Sequence, residues 1–219
     1  MEGHAVNPGV LMFIMHFDIL SIFPETFESY FQASIMKRAQ DSGSITMALH
    51  NVRAFSTDKH QKVDDTPYGG GAGMVMQVAP FDRALQSIQA VPGTPGTRII
   101  LLSAKGRPFD QKLAEQRARC KRIGLVCGRY EGVDERVADA LVDEEISIGP
   151  FVLTGGELPA MMIVDAVTRL LPGVLGNDES TLGESFADGD SVAYPQYTKP
   201  ETYRGWAVPS VLLSGHHAA

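Results

Sequence analysis

Arg98-Ile-Ile-Leu-Leu-Ser103, Arg122-Ile-Gly-Leu-Val-Cys127 and Glu145-Ile-Ser-Ile148 are three short apolar runs. Each leads into a glycine-bearing loop and then into residues at helical spacing, over 108–119, 133–141 and 157–171. This alternation specifies an α/β fold with a largely parallel sheet, because parallel strands need a crossover long enough to hold a helix. Upstream, Phe17, Ile19 and Ile22 mark a strand ended by Pro24, and Phe27, Tyr30, Phe31 and Ile35 recur at helical spacing ahead of Gly43. A second strand is expected over 45–52 and a helix over 80–89. Between them, 53–73 holds too much Gly, Asp and Thr for regular structure and reads as a functional or disordered loop. After Pro172 the chain is polar and Gly-rich as far as Ser191, a linker, and the tail over 194–219 is too short to be a domain alone. Residues 1–14 show no pattern and look like an extension ahead of a natural start at Met15.

The 219 residues are 44% hydrophobic and 21% charged, the composition of a globule with a proper core. A net charge of −7 excludes a general polycation, so any nucleic-acid contact must come from a local patch. Ten of the 19 basic residues lie between Arg98 and Arg136, whereas Arg169 is the single basic residue from Val137 to Asp190. Cys120 and Cys127 lack CxxC spacing, which excludes a disulfide scaffold and a Cys-rich zinc site and fits a reducing cytoplasm. The N-terminal apolar run over 10–15 is too short to span a bilayer, so no membrane association is expected.

The loops after the three strands, 103–107, 128–132 and 149–156, are rich in Gly, which lets backbone groups approach a ligand beyond the carboxyl ends of the strands. There is no GxxxxGK[ST], and 69–73 does not fit GxGxxG, so a compact nucleoside without a polyphosphate suits these loops better than a nucleotide. The stretch 67–73, preceded by Asp64 and Asp65, reads as a mobile lid or as a surface loop. Arg169 follows Asp165 by four residues and is either a helix-surface pair or an oxyanion stabiliser. Among Asp178, Glu179, Glu184 and Asp188, one carboxylate becomes a general base if the linker folds over the cleft. Arg117, Arg119, Lys121 and Arg122 read as a solvated helix end rather than as phosphate contacts. His216 and His217 are adjacent and cannot share one face, so no metal site is expected there. The two cysteines are expected to pack as small apolar groups.

Seven longer motifs follow in order: Asp18-Ile-Leu-Ser-Ile-Phe-Pro-Glu25, Val63-Asp-Asp-Thr-Pro-Tyr-Gly-Gly-Gly71, Leu125-Val-Cys-Gly-Arg-Tyr-Glu-Gly132, Val133-Asp-Glu-Arg136, Ser147-Ile-Gly149, Leu153-Thr-Gly-Gly-Glu-Leu-Pro-Ala160 and Pro172-Gly-Val-Leu-Gly176. From Met15 to the C-terminus the chain resembles the bacterial tRNA (guanine-N1)-methyltransferase family, TrmD. The resemblance implies a SPOUT fold with a deep trefoil knot, a homodimer, S-adenosyl-L-methionine as methyl donor and guanosine 37 of certain tRNAs as acceptor. By the family's pattern, the cofactor pocket is lined by Leu102, Ser103, Gly128, Tyr130, Glu131, Gly132, Ile148, Gly149, Pro150, Phe151, Val152, Leu153, Gly155, Gly156 and Pro159.

Arg169 matches the family's arginine, which stabilises O6 of the guanine. The family's base is a linker aspartate just before Ser-Phe, contributed across the dimer interface. Here that position is Glu184, in Gly183-Glu-Ser-Phe186, and its extra methylene requires the linker to adjust by about an ångström. Asp178 and Asp188 are the alternatives. The resemblance also implies Mg²⁺, for which no ligand cluster identifies a site, Glu131 and Glu184 being conceivable ligands. The implied organisation is an extension (1–14), a SPOUT catalytic domain (15–172), a linker (173–193) and the start of a truncated tRNA-binding domain (194–219). Such a chain is expected to bind cofactor and to methylate tRNA weakly or not at all. The rival readings are a non-catalytic SPOUT module that binds cofactor or RNA, and a SPOUT methyltransferase of another RNA, against which the 67–73 and 128–132 motifs argue.

Overall fold

The α/β pattern is realised as a five-stranded sheet in which every pairing is parallel. The computed structural model describes residues 13–176, 184–186, 189 and 191–213. The chain divides into two units, Met1–Thr181 and Leu182–Ala219.

In the first unit the sheet strands are β1 (Met15–Ser21) and β2 (Ile45–Asn51), then, after the hairpin of β3 (Asp64–Asp65) and β4 (Val75–Met76), β5 (Thr97–Pro108), β6 (Arg122–Cys127) and β7 (Glu144–Ser147). Their order across the sheet is β2-β1-β6-β5-β7. The helices are α1 (Glu28–Phe31), α2 (Ser34–Asp41), α3 (Val78–Ser87), α4 (Gln111–Arg117), α5 (Glu135–Ala140) and α6 (Glu157–Thr168). Alternation along the strands sends Phe17, Ile19, Ile100 and Leu125 to one face, against α2, α4 and α6. Leu20, Ile99, Leu101 and Val126 go to the other, against α3 and α5. Both faces are therefore dry, and each fully buried Phe, Ile or Leu stabilises the fold by about 2 kcal/mol.

Three sequence expectations change. The helical spacing over 27–35 is split between α1 and α2, because Ser34 adopts φ +47. The carbonyl of Phe31 freed by the break accepts the Gln40 amide at 2.7 Å. The loop expected after residue 103 becomes a bulge of β5. Both Leu102 and Arg107 pair with Ile146, and Pro108 pairs with Ser147. The bulge requires glycine at 106, where a Cβ would lie 2.5 Å from the Ile146 backbone nitrogen. The stretch over 53–73, expected to lack regular structure, contains the end of a helical turn over 52–55, whose Phe55 carbonyl accepts Arg83 Nε at 2.6 Å, and β3.

The basic cluster also needs correction. Arg117 is buried, with Nη2 2.5 Å from Glu144, because α4 packs its C-terminal turn on the sheet. Arg122 donates from Nε to Asp18 at 2.7 Å. Only Arg119 and Lys121 keep the solvated character expected of all four. In the second unit, β8 (Thr202–Tyr203) and β9 (Trp206–Ala207) form a hairpin ahead of α7 (Ser210–Leu213). Among the described residues, no helix is long and apolar enough to cross a membrane.

Candidate active site

Parallel strands end on the same side, so the bulge of β5 and the segments that leave β6 and β7 converge. They enclose a cavity of about 430 Å³. Its wall includes Leu102, Ser103, Gly128, Tyr130, Glu131, Gly132, Ile148, Gly149, Phe151, Val152, Leu153, Gly155, Gly156 and Pro159. Pro150 alone of the expected set is turned away. Phe151 N–H donates to the Gly149 carbonyl at 2.9 Å, a three-residue turn that leaves Pro150 exposed at its apex. Lys105, Arg129, Glu135 and Glu145 join the wall without having been anticipated. Lys105 lies within 103–107 and Arg129 within the 125–132 motif, where their charges are visible in the sequence.

The loops touch through their backbones. Gly156 N–H donates to the Gly128 carbonyl at 2.9 Å, and a Cβ at 156 would lie 2.8 Å from Cys127 Cα. Burial pushes the Cys127 thiol well up, and it packs as a neutral apolar group. Glu157, the first residue of α6, is only 4% exposed. Its carboxylate accepts Ser21 Oγ at 2.6 Å and Arg129 Nε at 3.1 Å, while the Arg129 guanidinium lies 4.7 Å from the Phe23 ring centroid. A buried carboxylate is tolerated there because a guanidinium, a hydroxyl and the positive end of α6 all face it. At another part of the wall, Lys105 lies 2.5 Å from Glu135 and 3.7 Å from Glu145. Hydrogen bonding to Glu135 pushes its ammonium up, with the charge of Glu145 adding to the effect.

The glycine-rich stretch is fastened to this wall by main chain. Met76 N–H donates to Gly132 O at 2.9 Å, Asp134 N–H to Met76 O at 2.9 Å, and Glu131 N–H to Met74 O at 3.1 Å. Its outer part stands in solvent, with Tyr68 fully exposed. Tyr130 holds φ +61, a strained left-handed conformation for a residue with a Cβ.

Arg169 does not line the cavity. It caps the C-terminal end of α6, about 20 Å along the axis from Gly156 at the other end. Its backbone N–H donates to Asp165 O, and the Asp165 carboxylate accepts the Tyr30 hydroxyl. That hydrogen bond, with burial and the Asp165 charge, pushes the Tyr30 phenol up to about 12. Along α6, Leu158 and Met162 stand 59% and 50% exposed, one turn apart. Glu184 belongs to the second unit and is half-buried. Asp178, Glu179, Asp188, His216 and His217 lie outside the described residues. Among the described residues, no three His, Cys, Asp or Glu side chains gather in a way that could hold a metal ion.

Comparison with known proteins gives a consistent picture. Residues 15–219 match the family model described as tRNA (Guanine-1)-methyltransferase TrmD. A tRNA (guanine-N(1)-)-methyltransferase of Citrifermentans bemidjiense is 55% identical over 204 residues, which is 93% of this chain and 81% of that one. One of Dehalococcoides mccartyi is 51% identical over 204 residues, 93% of this chain and 82% of the relative. The crystal structure of a tRNA (m1G37) methyltransferase from Aquifex aeolicus superposes with a TM-score of 0.77 at 38% identity, covering 93% of this chain and 84% of that one.

Proposed function

Because the chain belongs to the tRNA (Guanine-1)-methyltransferase TrmD family and is a tRNA-modifying methyltransferase, we propose that its methyl donor is S-adenosyl-L-methionine and its acceptor N1 of guanosine 37. The observation that carries the cofactor reading is the convergence of two glycine loops, 128–132 and 149–156, and the β5 bulge on one cavity. Its volume of about 430 Å³ lies within the range typical of small-molecule sites. The glycine contacts leave main-chain donors and acceptors close to a nucleoside. When bound, S-adenosyl-L-methionine supplies an electrophilic methyl group on a sulfonium sulfur.

The protein's own groups prepare the nucleophile. Guanine N1 carries a proton at neutral pH and is a poor nucleophile until a base removes it. In this reading Glu184 takes that proton, and the charge left on O6 faces the Arg169 guanidinium. With the proton on Glu184 and O6 facing Arg169, N1 keeps the electron pair with which it would attack a sulfonium methyl group, the neutral sulfide being the leaving group.

The separation of Arg169 from the cavity along α6 supports a site assembled from two copies of the chain, as does the exposed Leu158–Met162 stripe. The reading includes a knotted chain around the last sheet strands and a tRNA-binding role for residues 194–219. The proposed setting is the cytoplasm, where the thiols of Cys120 and Cys127 stay reduced.

Titration calorimetry of S-adenosylmethionine, with ATP and NAD as controls, tests the cofactor. Saturable binding near one per chain, selective for S-adenosylmethionine, is expected. A folded protein that does not bind it rules the reading out. Nucleoside analysis of tRNA treated with the protein tests the acceptor, and methyl on any base other than guanosine 37 refutes that assignment.

A further inference from the structure

Arg129 is the counter-ion of the buried Glu157, and that contact engages only part of its guanidinium. Its Nε donates to the buried Glu157 carboxylate at 3.1 Å, and one face of the guanidinium covers the Phe23 ring. Glu157 is fixed in turn by the Ser21 hydroxyl at 2.6 Å. The guanidinium is thus pinned on one edge and one face, yet 24% of the Arg129 side chain remains exposed. Among the described residues, Nη1 and Nη2 donate no hydrogen bond. These two nitrogens form the outer edge of a planar fork whose parallel N–H bonds match a carboxylate.

The rest of the cavity sharpens the assignment. The other cation on the wall, Lys105, lies 2.5 Å from Glu135 and 3.7 Å from Glu145. The charged residues of the cavity wall are thus Glu131, Glu135 and Glu145, which repel an anion, Lys105, which is paired with two of them, and Arg129, whose second edge donates no hydrogen bond among the described residues. We propose that this edge of Arg129 is the oxyanion site of the cavity and takes the α-carboxylate of a nucleoside that carries an amino acid through its side chain. The proposal rests on the reading that the cavity holds S-adenosyl-L-methionine, whose amino-acid part carries such a carboxylate. Phe23 and Glu157 are positioning residues, since they fix the guanidinium plane before the ligand arrives and leave less side-chain freedom to lose on binding.

Calorimetry with two probes tests this: S-adenosylhomocysteine, which carries the carboxylate, and 5′-methylthioadenosine, which lacks it. The variant is R129K, which retains a cation beside Glu157 but has no second edge. S-adenosylhomocysteine should bind R129K about ten- to hundredfold more weakly, with 5′-methylthioadenosine unchanged. Equal weakening of both probes in a variant with an unchanged melting temperature overturns the proposal, as does unchanged binding of S-adenosylhomocysteine. If R129K alters neither probe but raises KM for tRNA, the edge binds an RNA phosphate and the carboxylate assignment is wrong. If R129K melts early, Phe23→Leu replaces it, since it removes only the stacked ring; the same selective loss, smaller in size, is then expected, and loss without selectivity refutes the proposal. Failure of the unmodified chain to bind either probe refutes the cofactor reading itself, a separate result.

Discussion

Asp18 and Arg122, 104 residues apart in the chain, meet at 2.7 Å and join β1 to the first residue of β6. Asp18 is 1% exposed, and its other oxygen accepts His50 Nε2 at 2.7 Å. Burial works against the carboxylate, but the hydrogen bonds from His50 and Arg122, with the charges of His16 and Arg122, outweigh it and hold Asp18 below its ordinary value of 3.8.

Replacing Asp18 with Asn should therefore destabilise the first unit by about 3 kcal/mol, because a partly buried guanidinium loses its counter-ion. The sign of the pH dependence follows from the depressed folded value. The contribution of Asp18 is complete above about pH 4 and is lost as pH falls through its folded pKa. Urea midpoints measured from pH 6 to pH 2 should drop below pH 4, and drop less in D18N.

Gly156→Ala and Gly176→Ala should separate cleanly. A Cβ at 156 would lie 2.8 Å from Cys127 Cα, a backbone atom that cannot swing aside, whereas one at 176 meets nothing within 4 Å. Thermal melts should show a loss of about 1–3 kcal/mol for the first and under about 0.5 kcal/mol for the second. Only the first should also weaken cofactor binding.

Alkaline titration followed by ultraviolet absorbance should find one of the six tyrosines ionising near 12. Asp165→Asn should return it toward 10, its ordinary value. Since folding raises this pKa, the Tyr30–Asp165 contact contributes fully below pH 10 and is lost as pH rises through about 12.

Under single-turnover conditions with saturating tRNA, Arg169→Ala should slow methyl transfer about 10²- to 10³-fold, the scale of a lost oxyanion donor. Glu184→Gln should slow it about 10²- to 10⁴-fold, and Glu184→Asp much less. Calorimetric affinity for S-adenosylmethionine should stay within about twofold in all three. A full rate for E184Q would remove Glu184 as the base.

The sheet and its helices were legible because Ile99, Ile100, Leu125 and Ile146 sit in short apolar runs whose spacing leaves little choice of partner. The cavity wall was legible through its glycines. What could not be read were long-range pairings that no local pattern encodes. Asp18 lies in an apolar strand and finds its cation across the sheet, and Glu157 looks like an ordinary first-turn carboxylate until Arg129 and Ser21 close over it. The β5 bulge escaped for a related reason, since Gly106 is explained only by the Ile146 backbone that passes beside it. Pro150 lies at the apex of a three-residue turn between lining residues Gly149 and Phe151, a reversal that no local pattern announces.

The clasp between the glycine-rich hairpin and the cavity wall is made by the N–H groups of Met76, Glu131 and Asp134. These three bonds run from main chain to main chain, so substitutions at Glu131 leave them intact, whereas Met76 also offers its buried Sδ to the Arg129 N–H at 3.2 Å and Asp134 caps α5 with its side chain. Proline alone among the amino acids withdraws the donor. A proline at 131 should loosen the hairpin while the sheet stays folded, which limited proteolysis within residues 66–73 would read as faster cleavage there.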